Sequence, residues 1–413
     1  MFWLYRLITG ALYWIVYPVG RRRADRGDLL WKGRLGLVSR PGPSRVWLHA
    51  ASVGEVGVCG HLINFLLKES ASVSVHLTTM TRTGFSAALK RYHSERVSLS
   101  YFPLDCPAAV RKTLDAIGPD LIVITETEIW PNLIHEASRR DIPLVQVNGR
   151  MTGKAFDRYR RIRGLMKSLL NRYDRFFFKT EDDAARYHAL GLDQSLGIVV
   201  GDMKFDAPLL ERSDKRSRET RRRAGIAGDA FLFVAGSTRP GEEAVITNAF
   251  RELAFEYKKL SIVIAPRHIE RAGEVKSLLD DKAIDFALYG DNPNHERFVL
   301  VDRLGILNDL YRAADLAFVG GSLVDIGGHN ILEPVWAGCP VLFGPSLFNV
   351  REAADYILER NYGAMVRSEE ELVSLLRNVL AGDIIYATKQ SRDLDKSPTA
   401  IAGTHILEKL KHA

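Results

Sequence analysis

The sequence predicts an α/β protein made of two doubly wound, Rossmann-like halves. Three observations predict it. From residue 46 onward, short apolar runs alternate with amphipathic helical stretches, the pattern of a parallel sheet covered on both faces. That alternation stops in a highly charged stretch at residues 206–223 and then restarts. The chain has 413 residues, more than the roughly 250–300 at which a single core stops growing.

The first element is apolar. Residues 2–19 carry Trp3, Tyr5, Tyr13, Trp14 and Tyr17 among aliphatics, interrupted by Arg6 and closed by Pro18. The uninterrupted part, residues 7–19, is shorter than the roughly 20 residues a helix needs to cross a bilayer. Arg21, Arg22, Arg23, Arg26, Lys32 and Arg34 follow. Residues 1–20 are therefore expected to be a membrane anchor that enters one leaflet or barely spans, with the arginines on the cytoplasmic side. A helix docked on the protein's own core is the alternative.

Residues 21–205 form the first predicted half. Strands are expected at 46–50, 73–78, 97–102, 121–125, 143–147 and 175–179, and helices at 56–68 and 84–92. Residues 206–413 form the second, with strands at 231–236, 260–265, 298–301, 316–320 and 340–343 and helices at 242–257 and 268–280. The arginines at 216, 218, 221, 222 and 223 read as a solvated helix face. In doubly wound sheets ligands bind beyond the carboxyl ends of the strands, and a cleft between the halves is the expected active site.

Composition narrows the function. Hydrophobic content of 46% and charged content of 26% are ordinary for a folded protein. A net charge of +7 admits an anionic partner: nucleic acid, lipid headgroups or a phosphorylated substrate. No zinc-type cysteine spacing and no RNA-binding aromatic signature occurs, so neither a metal site nor a nucleic-acid partner is expected. Cys59 and Cys339 lie in apolar surroundings and read as small buried hydrophobes, and the sparse cysteine count, with Cys106, fits a reducing compartment. Asp393 and Asp395 lie in a charged tail rather than at a strand end and are not read as a metal site.

The chemistry sits in the loops at strand ends. Glu55 follows His49-Ala50-Ala51-Ser52-Val53-Gly54 at a helix start, where a carboxylate serves equally as a general base or as a complement to the helix dipole. Glu126 and Glu128 lie in Thr125-Glu126-Thr127-Glu128-Ile129-Trp130-Pro131-Asn132, where they orient an acceptor or form an acidic helix start. A polar loop at residues 78–83 follows the second strand and is a further candidate for lining the site. In the second half, Gly236-Ser237-Thr238-Arg239-Pro240-Gly241-Glu242 joins a strand to a helix. Ser237 and Thr238 are expected to cap that helix, and free amides there suit a phosphate. Arg267, in Pro266-Arg267-His268, offers a planar fork to phosphate or carboxylate, or is a surface arginine. Gly327-Gly328-His329-Asn330-Ile331-Leu332-Glu333-Pro334 makes a glycine turn into a helix. Its amides from Asn330 to Leu332 suit a phosphate, and Glu333 suits two ribose hydroxyls.

These motifs, together with Val147-Asn148-Gly149-Arg150 and Gly201-Asp202-Met203-Lys204-Phe205-Asp206, resemble the 3-deoxy-D-manno-oct-2-ulosonic acid (Kdo) transferases of lipid A biosynthesis. The resemblance runs from the N-terminal segment to near residue 360. It implies a GT-B fold, two Rossmann-like domains facing across a cleft, with the acceptor on the first and the nucleotide on the second. It implies CMP-Kdo as donor and a tetraacylated lipid A precursor as acceptor, with inversion at the anomeric carbon, no metal and no cofactor. Glu55 matches the catalytic base. Ser237, Arg267, Asn330 and Glu333 match the CMP side, and Glu126 and Glu128 the acceptor side, unranked. The implied place is the cytoplasmic side of a bacterial inner membrane, in contact with its lipids. A nucleotide-sugar epimerase and a non-catalytic nucleotide-binding protein are the competing readings, and the N-terminal segment counts against the first. Neither the number of Kdo residues added nor an oligomeric state follows from the residues.

Overall fold

Fully buried aliphatic runs dictate where the strands form. A computed structural model describes residues 2–38, 45–92, 94–206, 213–292, 295–388 and 397–411. The chain makes two compact units, Met1–Asp206 with Leu394–Ala413, and Ala207–Asp393.

The first unit holds a parallel sheet of β1 (Val46–His49), β2 (Val75–Thr79), β3 (Val97–Tyr101), β4 (Leu121–Thr125), β5 (Leu144–Gly149), β6 (Arg175–Phe178) and β7 (Gly197–Val199). Its order is β3-β2-β1-β4-β5-β6-β7. Every residue of β1, β2, β4 and β5 is buried, as a sheet covered on both faces requires. Leu48, Leu77 and Val123 join one core, beneath the helix Val53–Glu69. Trp47, Ile122 and Ile124 join the other. The strand order reverses between β1 and β4, which pair from Val46–Leu121 to His49–Ile124. That reversal opens a crevice at the carboxyl ends of these two strands.

The second unit repeats the plan with β8 (Phe231–Thr238), β9 (Leu260–Pro266), β10 (Phe286–Leu288), β11 (Phe298–Leu300), β12 (Leu316–Val319), β13 (Val341–Phe343) and β14 (Gly363–Met365). The order is β10-β11-β9-β8-β12-β13-β14, again all parallel, with its reversal between β8 and β12. The two-unit α/β architecture expected from the alternation is present. Three strands escaped the sequence reading: β7, β10 and β14, three residues each, all at sheet edges.

Four differences have physical causes. The second half does not keep residues 206–413. Its last helix, Pro398–Lys411, returns to the first unit, where Ala402, Ile406 and Leu410 complete the core under Val53–Glu69. Gly403 allows this approach, since a Cβ there would lie 2.3 Å from the Phe65 ring. Secondly, Arg221 is not on a solvated face. Its buried guanidinium donates to the carbonyls of Ala230 (2.6 Å) and Ala313 (2.8 Å) and pairs with Asp315 at 2.7 Å. Residues 207–212 of that charged stretch, and Asp393 and Asp395, lie outside the described residues. Thirdly, the helix expected at 268–280 starts as a 3-10 turn, Ile269–Arg271, before Ala272–Asp281.

The fourth concerns the N-terminal segment. One helix, Phe2–Asp25, runs through Pro18 and past residue 20. One side docks on the protein: the Tyr5 hydroxyl donates to Asp105 (2.8 Å), Arg6 pairs with Glu136 (2.7 Å), and buried Tyr13 donates to the Leu35 carbonyl (3.2 Å). The opposite side presents Trp3, Leu4, Leu7, Ile8, Trp14, Ile15 and Val19, all more than half exposed except Ile8 at 50%. The run reads as apolar all round because both faces are apolar. No helix among the described residues is long and apolar enough to cross a membrane.

Candidate active site

In the first unit Glu55 lies in the crevice where the strand order reverses. Ser52 caps the helix Val53–Glu69 in extended backbone, accepting from the Glu55 amide at 3.3 Å. Its hydroxyl returns a bond to Glu55 Oε1 at 2.9 Å, so Ser52-x-x-Glu55 is a reciprocal capping pair. Glu55 Oε2 accepts from the Ala51 amide at 2.9 Å and lies 2.9 Å from the Thr125 hydroxyl. That hydroxyl is also 2.7 Å from the His49 carbonyl and has one proton to share between them. The dipole-complement and base readings of Glu55 are thus not exclusive. The cap holds a carboxylate, 8% exposed, at a fixed place between β1 and β4.

Glu126 and Glu128 come from the β4 side of the same crevice. Glu126 adopts a left-handed backbone (φ 52°), its amide bonded to the Val147 carbonyl at 3.0 Å and its own carbonyl accepting from the Gln146 side chain. Burial and then the Glu55 charge raise its pKa, against the pull of Arg150 and Lys179. Glu128 goes further. Burial first, then Glu55, push it from 4.5 up to about 7. The Glu55 charge therefore reaches both neighbouring carboxylates at one strand-end crevice. His49 sits beneath them, fully buried, its Nδ1 3.1 Å from the Thr78 carbonyl and its Nε2 3.9 Å from Glu128. Burial drives its pKa down to about 3, so the ring is neutral.

The remaining first-unit motifs join this crevice through β5 and β6. Asn148 accepts from the Met203 amide at 3.0 Å, and Lys179 pairs with Asp202 at 2.6 Å. The polar loop at 78–83 has structural work: Thr78 bonds Trp47 Nε1 at 2.9 Å, and Thr81 caps the helix Arg82–Arg91. Among the described residues no group of three or more His, Cys, Asp or Glu is placed to hold a metal ion. All three cysteines are buried thiols outside any disulfide.

In the second unit the loops after β8 and β12 meet where that sheet reverses. Gly236 has no room for a side chain, because a Cβ would lie 2.0 Å from the Tyr311 hydroxyl. Ser237 then takes a left-handed φ of 56°. Neither Ser237 nor Thr238 caps the following helix. Gly241 precedes it, and the buried Glu242 carboxylate instead accepts from the amides of Arg239 (2.9 Å), Gly321 (2.8 Å), Ser322 (3.0 Å) and Leu323 (2.9 Å). Of the 236–242 loop, this clamp engages the Arg239 amide; the other three amides belong to the loop after β12. The Leu332 amide, which the sequence reading offered to phosphate, bonds Asn330 Oδ1 at 3.3 Å. Asn330 donates to Glu333 at 3.2 Å; burial raises the Glu333 pKa, while Asn330 and Arg267 lower it. Gly327 and Gly328, both at positive φ, turn the chain so that the His329 amide bonds the Gly320 carbonyl. Arg239 Nε donates to His329 Nε2 at 3.0 Å.

Comparison with known proteins decides the family. Residues 30–207 match the family described as 3-deoxy-D-manno-octulosonic-acid transferase (kdotransferase). The 3-deoxy-D-manno-octulosonic acid transferase of Haemophilus influenzae is 34% identical over 331 residues, 79% of this chain and 77% of that protein. The chain belongs to the Kdo transferase family. A bifunctional glycosyltransferase/methyltransferase of Fusobacterium nucleatum is 36% identical over 343 residues, and there the match spans 81% of this chain but 52% of the longer relative. The UDP-GlcNAc 2-epimerase of Neisseria meningitidis shares the fold, with a TM-score of 0.50, 16% identity, and coverage of 89% of this chain and all of that one. The two parallel-sheet domains are GT-B-like.

Within this Kdo transferase, sequence reasoning missed Thr125 as a partner of Glu55, Arg150 and Lys179 beside Glu126, Glu242 as the clamp on the 320–323 loop, and the Arg239–His329 pair. Thr125, Arg150, Glu242 and the Arg239–His329 pair all lay in quoted motifs. Only their partners, distant in sequence, reveal what they do.

Proposed function

We propose that the protein transfers Kdo from CMP-Kdo to a tetraacylated lipid A precursor, releasing CMP and inverting the anomeric centre without a metal. The observation that carries this reading is Glu55, anchored by the Ala51 amide and Ser52 beside Thr125 at the β1–β4 reversal, with Glu126 and Glu128 around it. In the proposed step an acceptor hydroxyl oxygen attacks the anomeric carbon. Its proton passes to Glu55, and the bond from that carbon to the phosphate oxygen breaks with its electron pair on CMP. The leaving group is already anionic, so no acid need protonate it, and cationic side chains such as Arg267 offset the charge that grows on it. Asn330 and Glu333 take the ribose, Ser237 lies on the phosphate side, and Glu126 and Glu128 orient the acceptor. The exposed apolar face of Phe2–Asp25, followed by Arg21, Arg22 and Arg26, lies in one leaflet on the cytoplasmic side of the inner membrane.

The test is mass spectrometry of the product from the full chain, CMP-Kdo and the lipid acceptor. Glu55→Gln keeps the cap acceptor but removes the base, so transfer should fall about 10²–10⁴-fold with an unchanged melt. Near-wild-type transfer by a folded Glu55→Gln protein would remove Glu55 from the mechanism. Absence of Kdo on the acceptor with wild type would remove the proposed reaction.

A further inference from the structure

Two buried polar atoms of the first unit, His49 Nε2 and Trp130 Nε1, have no hydrogen-bond partner among the described residues. They flank the same carboxyl group. The other nitrogen of the His49 ring, Nδ1, lies 3.1 Å from the Thr78 carbonyl, an oxygen that only accepts, so Nδ1 carries the proton. Nε2 is therefore a bare lone pair in a fully buried side chain, and it lies 3.9 Å from Glu128 Oε2. Trp130 Nε1 is an N–H that only donates. Its ring stands edge-on to His49, with centroids 6.3 Å apart, and the indole is among the groups that act on the Glu128 carboxyl.

An ionised carboxylate suits only half of this setting. It accepts from the Trp130 N–H, but it sets one acceptor against another at Nε2. The acid form suits both neighbours. Its carbonyl oxygen accepts from Trp130, and its O–H donates to Nε2 once the side chain closes about 1 Å of the gap. A proton placed on Nε2 instead is opposed by the burial of the ring and by the Arg34 charge. The remaining neighbours favour the acid form too. Glu55 and Glu126 are acids whose charges disfavour another anion here. The phenols of Tyr159 and Tyr173, which also feel the Glu128 charge, are neutral.

We propose that His49 is a positioning residue: its Nε2, with the Trp130 N–H opposite, holds Glu128 as an uncharged carboxylic acid, so that Glu128 meets the acceptor as a neutral hydrogen-bonding group and adds no charge beside the base. This rests on the acceptor-side reading of Glu128. Glutamine mimics the acid, with a carbonyl for Trp130 and an N–H for Nε2. Aspartate keeps an ionisable group but falls short of both. In the full chain, Glu128→Gln should therefore exceed Glu128→Asp in kcat/KM for transfer near pH 6 by about tenfold or more. Wild-type kcat/KM should fall as pH rises through the Glu128 ionisation, and that alkaline limb should vanish in Glu128→Gln. His49→Phe removes the acceptor of the acid's proton, so it should move the limb to lower pH. Carbon-13 NMR of carboxyl-labelled glutamate reads the same ionisation without substrate. One signal should titrate well above the ordinary range, be absent from Glu128→Gln and shift down in His49→Phe. Glu128→Asp matching or exceeding Glu128→Gln would show that the ionised form works, and would overturn the proposal. So would a Glu128 signal in the ordinary carboxylate range, or one unmoved in a folded His49→Phe protein. Should His49→Phe not fold, the glutamine–aspartate comparison and the wild-type titration decide alone. Wild type that moves no Kdo to the lipid acceptor would sink the proposed reaction, while the NMR titration would still decide the His49–Glu128 pair.

Discussion

Glu128 is a carboxyl group that folding makes harder to ionise. Its pKa rises from 4.5 to about 7, by burial first and by the Glu55 charge second. Between those values the native state holds a proton that the unfolded chain has lost, so its contribution to stability falls as pH rises across that window. Glu128→Gln cannot ionise, and should overtake wild type in urea melts between pH 4.5 and 7, by on the order of 1–2 kcal/mol once partial solvation is allowed for. Glu55→Gln removes the second cause, so the Glu128 pKa should fall toward 4.5 and the loss of stability should end at a lower pH than in wild type. A Glu128 signal that titrates unchanged in Glu55→Gln would show that the two carboxylates do not interact. Glu55 and Glu128 were both legible as candidates, because each follows an apolar strand and sits at a helix start. Their coupling was not. It depends on β1 and β4 being neighbours, although the strands are separated in sequence by β2 and β3. Glu242 was hidden for the same reason, since the amides it clamps lie about eighty residues away.

The N-terminal helix shows what periodicity can and cannot reveal at the scale of an element. An apolar run with a single charge reads as a membrane segment, yet Arg6 is spent on Glu136 and Tyr13 is buried against the fold. The two faces should therefore respond differently to substitution. Tyr13→Ala empties a packed site and should cost roughly 3 kcal/mol or more in stability. Leu7→Glu combined with Ile15→Glu changes residues that are each 70% exposed, and should leave the melt almost unmoved. The same pair should lower co-sedimentation with anionic phospholipid vesicles by about tenfold or more, since each residue withholds an apolar side chain from the membrane. Undiminished vesicle binding by the double variant would separate this face from the membrane. The long strands were legible because short stretches rich in Val, Ile, Leu and Phe recur between helical stretches. The strands β7, β10 and β14 at the sheet margins gave no such signal; pairing with the strand beside each defines them.

Across the whole molecule, the two-unit plan follows from the restart of alternation after the charged stretch, but the path of the last helix does not. Pro398–Lys411 is apolar on one face in the same way as the helices of either half, and nothing local says which core it completes. Long-range bonds decide it: the Asp206 carboxylate takes the Thr399 amide at 2.7 Å, and the Leu410 carbonyl takes Arg45 at 2.6 Å. Asp174 receives His405 at 2.8 Å and Lys409 at 2.6 Å. Hydrogen bonding to His405 leads the causes that hold the Asp174 pKa at about 2, below its ordinary 3.8. A depressed carboxylate stabilises the fold above its unfolded value, and that contribution is lost as pH falls through about 2. The helix also covers Val53–Glu69, the element that carries Glu55. Deleting residues 397–411 should therefore strip hydrogen-exchange protection from the amides of Val53–Glu69 and β1, and transfer should fall with it. The residues proposed to hold the donor belong to the other unit, so calorimetric CMP binding should survive the deletion. A truncated chain that kept both its Val53–Glu69 protection and its transfer rate would show that the returning helix is dispensable to the base.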